Sequence, residues 1–187
     1  MLPEVERAAS HMAGWSRAWG IAGGWALDLW RGEVSREHHD VDVAVLRDDQ
    51  LALRAHLAGW QWNVIDRRAA RPWLDGDPLT PPLHELVAAR DGETIEVLLN
   101  DRVGDDWAFR RNPAVRRELR HAFVETACRV PVLAPEIVLL YKAKQPRTID
   151  EADFRVHAPH LPAPSRRWLA EALATAHPQH PWLAALT

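Results

Sequence analysis

Val5, Ala8, Met12, Trp15 and Trp19 recur at helical spacing, so residues 4–19 are predicted to form an amphipathic helix. The short apolar run Trp19-Gly20-Ile21-Ala22 reads as a strand that leads into Gly23-Gly24. A second helix covers Trp25 to Trp30 and ends near Gly32. Arg36 to Asp40 is polar and reads as a loop. Beyond it Val41, Val43 and Val45 alternate with Asp42 and Ala44, which is a strand pattern. Asp48 and Asp49 can cap a helix bearing Leu51, Leu53 and Leu57, and Trp60 to Asp66 reads as another strand.

Residues 71–82 hold four prolines with Asp75 and Asp77, the composition of a loop or of a lid over a site. Leu83 to Arg90 and Glu93 to Asn100 are strand-like runs separated by Asp91-Gly92, a hairpin signal because a type I′ turn needs positive φ at both central residues. Arg110 to His121 is basic, with a helix expected after Pro113, and Pro131 to Leu133 is short and apolar. Pro135 is suited to open a helix over Glu136 to Lys144. Two more helices are expected over Asp150 to Pro159 and Ser165 to His177, with Pro178 to Trp182 closing onto something apolar. The order predicts an α+β fold, a mixed sheet flanked by helices with a small C-terminal helical part. Residues 1–134 would form the main domain and 135–187 a helical subdomain packed on it. No internal repeat or low-complexity tract interrupts the chain.

The 187 residues are 47% hydrophobic and 26% charged, which suits a folded domain and excludes wholesale disorder. No apolar run approaches the roughly 20 residues of a membrane span. Met1 to Glu6 lacks the basic and then apolar regions of a secretory signal. With one cysteine, Cys128, there is no intramolecular disulfide, so a reducing cytoplasm is expected; Cys128 reads as a small buried apolar residue. The net charge of −3 disfavours nucleic acid as the main partner and leans toward a small-molecule acceptor. Most of the ten tryptophans fall in helical or strand patterns and belong to the core, leaving a few for a pocket.

Three features carry chemistry. Asp40 and Asp42 are two apart on a probable strand, which puts both carboxylates on one face. Neighbouring anions need a cation, and magnesium, a hard ion that takes carboxylate and phosphate oxygens, is the natural one. Gly23-Gly24 lies between a strand and a helix N-terminus, where bare backbone N–H groups and the helix dipole can hold phosphates. Glu96 is the polar member of the run Ile95-Glu96-Val97-Leu98-Leu99. It would complete a metal site or accept the proton of an attacking hydroxyl. Glu85 and Glu93 are the alternatives if the hairpin register shifts.

The run Gly23-Gly24-Trp25-Ala26-Leu27-Asp28, then Gly32, then Arg36-Glu37-His38-His39-Asp40-Val41-Asp42 resembles the signature of antibiotic nucleotidyltransferases. It is most similar to the aminoglycoside 2″-adenylyltransferase and lincosamide nucleotidyltransferase group, across about residues 19–46. Leu139 to Lys144 and Asp150 to Phe154 also resemble the C-terminal helices of small bacterial members. The resemblance implies a polymerase-β-like fold, with Asp40 and Asp42 as metal-binding acids, Glu96 as the third acid, and Gly23 and Gly24 as the triphosphate turn. It implies Mg2+-dependent transfer of a nucleoside monophosphate, AMP from ATP foremost, to a hydroxyl of a small molecule such as an aminoglycoside- or lincosamide-like antibiotic. The alternatives are a macromolecular acceptor, tRNA or a protein, and a non-catalytic nucleotide-binding module.

Other charged residues have two readings each. Arg36 either contacts triphosphate or forms a salt bridge, and His38 either orients its loop or is hydrogen-bonded within it. His38-His39 beside two Asp could suggest zinc, but an acid-dominated set favours magnesium. Asp28 is expected to cap the helix or pair with Arg31. Lys142 is expected to reach the γ-phosphate, with a solvated helix end as the alternative for it and for Lys144. Arg110, Arg111, Arg116, Arg117 and Arg120 read mainly as a solvated face balanced by Glu118, Asp105 and Asp106, and secondarily as a phosphate or RNA surface.

Overall fold

In the computed structural model, which describes residues 3–74 and 76–186, the chain winds around one mixed sheet. Met1, Leu2, Asp75 and Thr187 lie outside the described residues, and with them the start of the N-terminal run read for a signal and one acid of the proline-rich segment. Helix α1 spans Pro3–His11 and buries Val5 and Ala8. It is shorter than the apolar spacing implied, because a turn follows in which Gly14 takes a φ of +81°. Strand β1 (Trp19–Ile21) leads into helix α2 (Gly23–Arg31), which ends on Gly32 in the left-handed conformation, as a C-terminal glycine does. Strand β2 (Asp42–Leu46) begins at the second acid of the pair and is buried from Val43 onward. A 3-10 turn (Arg47–Asp49) and helix α3 (Gln50–His56) follow.

Strands β3 (Gln61–Asp66) and β4 (Ala69–Pro72) form an edge hairpin that periodicity did not reveal, since β4 is exposed along its length. Strands β5 (Glu85–Arg90) and β6 (Glu93–Val103) form the expected hairpin, with φ of +52° at Asp91 and +84° at Gly92. Short strands β7 (Asp106–Ala108), β8 (Arg116–Glu118), β9 (Phe123–Glu125) and β10 (Pro131–Leu133) complete the set. The sheet order is β4-β3-β5-β6-β2-β1-β10-β9, with β7 and β8 extending from the end of β6. Pairs β2/β6 and β1/β10 are parallel and the rest antiparallel.

Helices α4 (Pro135–Lys142), α5 (Thr148–His157), α6 (Ala163–Ala176) and α7 (Leu183–Leu186) follow the sheet, with α4 packed against α2, β10, α5 and α6. Trp182 stacks on Phe154 at 4.1 Å between ring centres, which closes the chain end onto α5. Gly20 lets β1 approach β10, because a Cβ there would lie 2.6 Å from the Val132 carbonyl carbon. No described helix is long and apolar enough to cross a membrane.

Three expectations need correction. The basic stretch after Pro113 forms no α-helix, only strand β8 and a 3-10 turn (Leu119–His121). The Phe109 N–H donates to the Val115 carbonyl around a tight turn, and β8 then pairs with β7. The proline-rich segment is a loop but not a lid. Trp73 and Leu79 are buried, Gln50 and Arg54 of α3 bond its backbone, and it lines neither cavity described below. Cys128 is exposed in the turn after β9, its Sγ 3.1 Å from Thr126 Oγ1, so it is not a core residue.

Candidate functional site

The parallel pairing of β2 and β6 sets Asp42 directly opposite Glu96. Successive residues on β5 and β6 alternate between buried and partly exposed, and Glu85, Glu96 and Leu98 share the less buried face. Burial pushes the Asp42 carboxyl up to about 7. The nearby charges of Asp40, Glu96 and Glu85 act in the same direction, and Lys142 opposes them. Burial, with Asp40 and Glu85, also raises Glu96. The sheet therefore gathers acidic groups that, among the described residues, form no ion pair and are offset only by the charge of Lys142. Oxygen-only donors of this kind fit a hard divalent ion such as magnesium. The acids do not yet form a ligand sphere: among the described residues no three His, Cys, Asp or Glu side chains are grouped to hold a metal. Asp42 faces a larger cavity of about 590 Å³, while Asp40 and Glu96 line a smaller one of about 280 Å³ beneath α1.

The two glycines seat the start of α2 against this acid strand. Gly23 has a φ of +62°, and a Cβ on it would lie 2.7 Å from Asp42 Oδ2. Ala22 donates its N–H to the Asp42 carbonyl at 2.8 Å. No side chain caps the helix, and Ala22 and Gly23 line the larger cavity, so the positive end of α2 lies beside the acids. Gly24 has a packing constraint of its own. A Cβ there would collide with the Arg36 guanidinium and the His38 ring, so this glycine makes room for the loop that carries Asp40.

That loop is fastened by Asp28 and α5. Asp28 is 2% exposed and pairs with His38, not with Arg31, which pairs with Glu33. It accepts hydrogen bonds from Ser35 N–H at 3.0 Å and Ser35 Oγ at 2.6 Å, and its Oδ2 lies 2.7 Å from His38 Nε2. His157 Nε2 lies 3.4 Å away, too long for a good hydrogen bond. Burial pushes the Asp28 carboxyl up, but His157, His38 and Ser35 more than reverse that and hold it well below the usual carboxylate range. The His38 ring lies 4.3 Å from that of Trp25.

Arg36 is tied into the same framework. It donates twice to Asp153 of α5, at 2.8 and 3.1 Å, and does not line the larger cavity, which is the salt-bridge reading of this residue. Lys142 does line that cavity, between Asp150 at 2.8 Å and Asp153 at 2.9 Å. Burial raises Asp150 and Asp153, but Arg147, Lys142 and Arg36 outweigh it and keep both carboxyls low.

The basic stretch divides. Arg117 pairs with Glu136 at 2.6 Å and lies over Trp168, and Arg120 pairs with Glu118 at 2.6 Å on the surface. Arg110 and Arg111 instead line the larger cavity with Glu85 and Tyr141. Tyr141 lies on α4. It packs against buried Trp107 and Phe109, and burial pushes its hydroxyl up to about 12. Glu85 was an alternative to Glu96, and the register puts the two acids on one face.

An aminoglycoside-2″-adenylyltransferase family model matches residues 5–156. No curated protein sequence gives a significant match. Among solved structures, ANT(2″)-Ia in complex with adenylyl-2″-tobramycin is 18% identical, over 91% of this chain and 95% of that one, with a TM-score of 0.59. The solution structure of the antibiotic-resistance factor ANT(2″)-Ia is also 18% identical, over 93% and 91%, with a TM-score of 0.59. The lincosamide antibiotic adenylyltransferase LnuA with lincomycin bound is 16% identical, over 83% and 94%, with a TM-score of 0.56. At these identities the likeness shows the fold, the polymerase-β-like nucleotidyltransferase fold.

Proposed function

The chain belongs to the aminoglycoside-2″-adenylyltransferase family and is an enzyme of the nucleotidyltransferase type, and from that premise we propose that it transfers AMP from ATP to a hydroxyl of a small, antibiotic-like acceptor. The observation that carries the reading is the register of Asp42 against Glu96, with Asp40 at hand and the uncapped start of α2 alongside.

Asp40 and Asp42 are the residues that would hold magnesium, with Glu96 beside them as the third acid; since Asp42 lines one cavity and Asp40 and Glu96 the other, their side chains must turn toward one another to do so. Bound there, the ion would offset the charge on the phosphate oxygens and favour the ionised acceptor oxygen. The rest falls to the chain. Gly23 and the first turn of α2 present backbone N–H groups to the triphosphate. Lys142 has two carboxylate partners, and a phosphate oxygen can replace one of them. The acceptor oxygen forms a bond to the α-phosphorus as the bond to the bridging oxygen breaks, and pyrophosphate leaves with that electron pair. Glu96, raised by burial and by its acidic neighbours, takes the hydroxyl proton.

The test is incubation of the full chain with MgATP and a pool of aminoglycosides, lincosamides and hydroxylated metabolites, followed by mass spectrometry. One member should gain the mass of AMP, and none should with Asp42→Asn. A pool left unmodified while added tRNA or protein is adenylylated would move the activity to a macromolecular acceptor.

A further inference from the structure

The larger cavity contains a pair of cations that the transfer chemistry does not use. Arg110 and Arg111 both sit over the Tyr141 ring, their guanidinium carbons 5.5 and 5.3 Å from its centre. Arg111 also donates to the Tyr141 carbonyl at 2.8 Å. Among the described residues neither forms an ion pair with a carboxylate. Of the other cations near the site, Lys142 and Arg147 are matched by Asp150, Arg36 by Asp153 and Arg47 by Asp101, while Lys144 on the same cavity forms no ion pair among the described residues. Burial and the charge of Arg110 both lower the Arg111 pKa, as expected of two like charges held together and partly out of water.

The pair shares one cavity with Gly23 and Lys142, but it follows β7, which joins β6 across the acid strand from Gly23. Gly23 follows β1, on one side of the acid strand β2, and β6 and β5 lie on the other side. Ala108 of β7 pairs with Asp101 of β6, and the strands are antiparallel. Arg110 lies in the turn just after β7, whose last residue is paired five residues along β6 from Glu96. In-line displacement requires the acceptor oxygen to approach opposite the leaving pyrophosphate. With pyrophosphate toward Gly23 and Lys142, the acceptor occupies the side of β6, β5 and Arg110.

Resting on the transfer reading above, we infer that the acceptor is not a polycation but a hydroxylated molecule bearing an anionic group, a phosphate or a carboxylate, received by Arg110 and Arg111 on the Tyr141 ring. A polyamine sugar would meet two uncompensated guanidinium groups there. Of the acids lining the cavity, Asp150 is paired with Lys142 and Arg147, while Glu85 and Asp42 form no ion pair among the described residues, and Asp42 belongs to the acid site. Two adjacent arginines match the oxygens of a phosphate or carboxylate through charge-assisted hydrogen bonds.

The test is calorimetry on the full chain, with and without a non-hydrolysable MgATP analogue, titrating glucose 6-phosphate, glucuronate and tobramycin in turn. At least one of the two anions should bind and tobramycin should not, and the two anions tell phosphate from carboxylate. Arg110→Gln with Arg111→Gln should weaken the anion at least about tenfold and leave the nucleotide analogue within about twofold. Arg110→Lys with Arg111→Lys should retain much of the anion binding, showing that charge and not folding was lost. Tighter binding of tobramycin than of either anion would overturn the inference. So would equal loss of nucleotide and anion in the Gln variant, which would assign the pair to the donor. Failure of wild type to bind the nucleotide would count against the transfer reading alone, because the titrations without nucleotide still decide the charge preference.

Discussion

Asp28 holds together the loop that delivers Asp40, so its removal should be expensive. Asp28→Ala strips partners from the Ser35 N–H, the Ser35 hydroxyl and His38, in a place where the carboxylate is 2% exposed. The His38 ring is buried, and a buried group left unsatisfied costs about 1–3 kcal/mol, whereas Ser35 is exposed and its N–H and hydroxyl can regain water. We expect a loss near the upper figure for Ala, against a total stability of about 5–15 kcal/mol for a domain. Asp28→Asn keeps the volume and one accepting oxygen and should lose about half as much on the same scale. Urea unfolding at neutral pH measures this as a lower midpoint with an unchanged slope. The pH dependence supplies a second check. The folded-state pKa of Asp28 is depressed below its ordinary 3.8, so its contribution is complete above that pH and is lost as pH falls toward the lower folded value. The gap between wild type and Asp28→Ala should therefore narrow in acid. A loss under about 1 kcal/mol for Ala, or a gap that widens in acid, would refute the reasoning.

Gly20→Ala should destabilise the chain by about 1–3 kcal/mol, because its Cβ would lie 2.6 Å from the Val132 carbonyl carbon; thermal melting measures it. Gly23→Ala should lower MgATP affinity more than stability, since its Cβ would press on Asp42 Oδ2 at 2.7 Å, and calorimetry beside a melt separates the two effects. Asp42, raised to about 7, must lose its proton to bind a cation, so Mg2+ affinity should rise between pH 6 and pH 8. By the same sign, the metal-free protein should lose stability from this group as pH climbs from the ordinary carboxylate value toward 7, which melts across that range will show.

Much of this architecture was readable because local chemistry and global fold agree. Asp91-Gly92 specified a turn with two positive φ values, and the alternation after it specified a strand, so β5 and β6 follow directly. The acid motif was legible for the same reason, as polar residues interrupting runs that pack best when apolar. What stayed hidden depends on partners far away in sequence. Exposed β4 has no periodic signature, because pairing with β3 alone creates it. The basic stretch gave no sign that Arg117 would meet Glu136 while Arg110 and Arg111 faced the cavity. Arg36 and Asp153 are 117 positions apart, and a single sequence offers no rule that joins them. Gly24 was expected at a phosphate because a Gly-Gly pair lies between a strand and a helix start; the collision it avoids is with residues 12 and 14 positions later, which that local pattern does not reveal.

The most direct test of the central claim is to follow ATP labelled in either the α- or the γ-phosphate during turnover with an active acceptor, in wild type and in Glu96→Gln. Nucleotidyl transfer at this site predicts that α-label passes to the acceptor and γ-label leaves as pyrophosphate. Glu96→Gln should slow both by at least about 10²-fold while binding MgATP nearly as well as wild type. Transfer of the γ-label to the acceptor, or turnover by Glu96→Gln at the wild-type rate, would contradict the account.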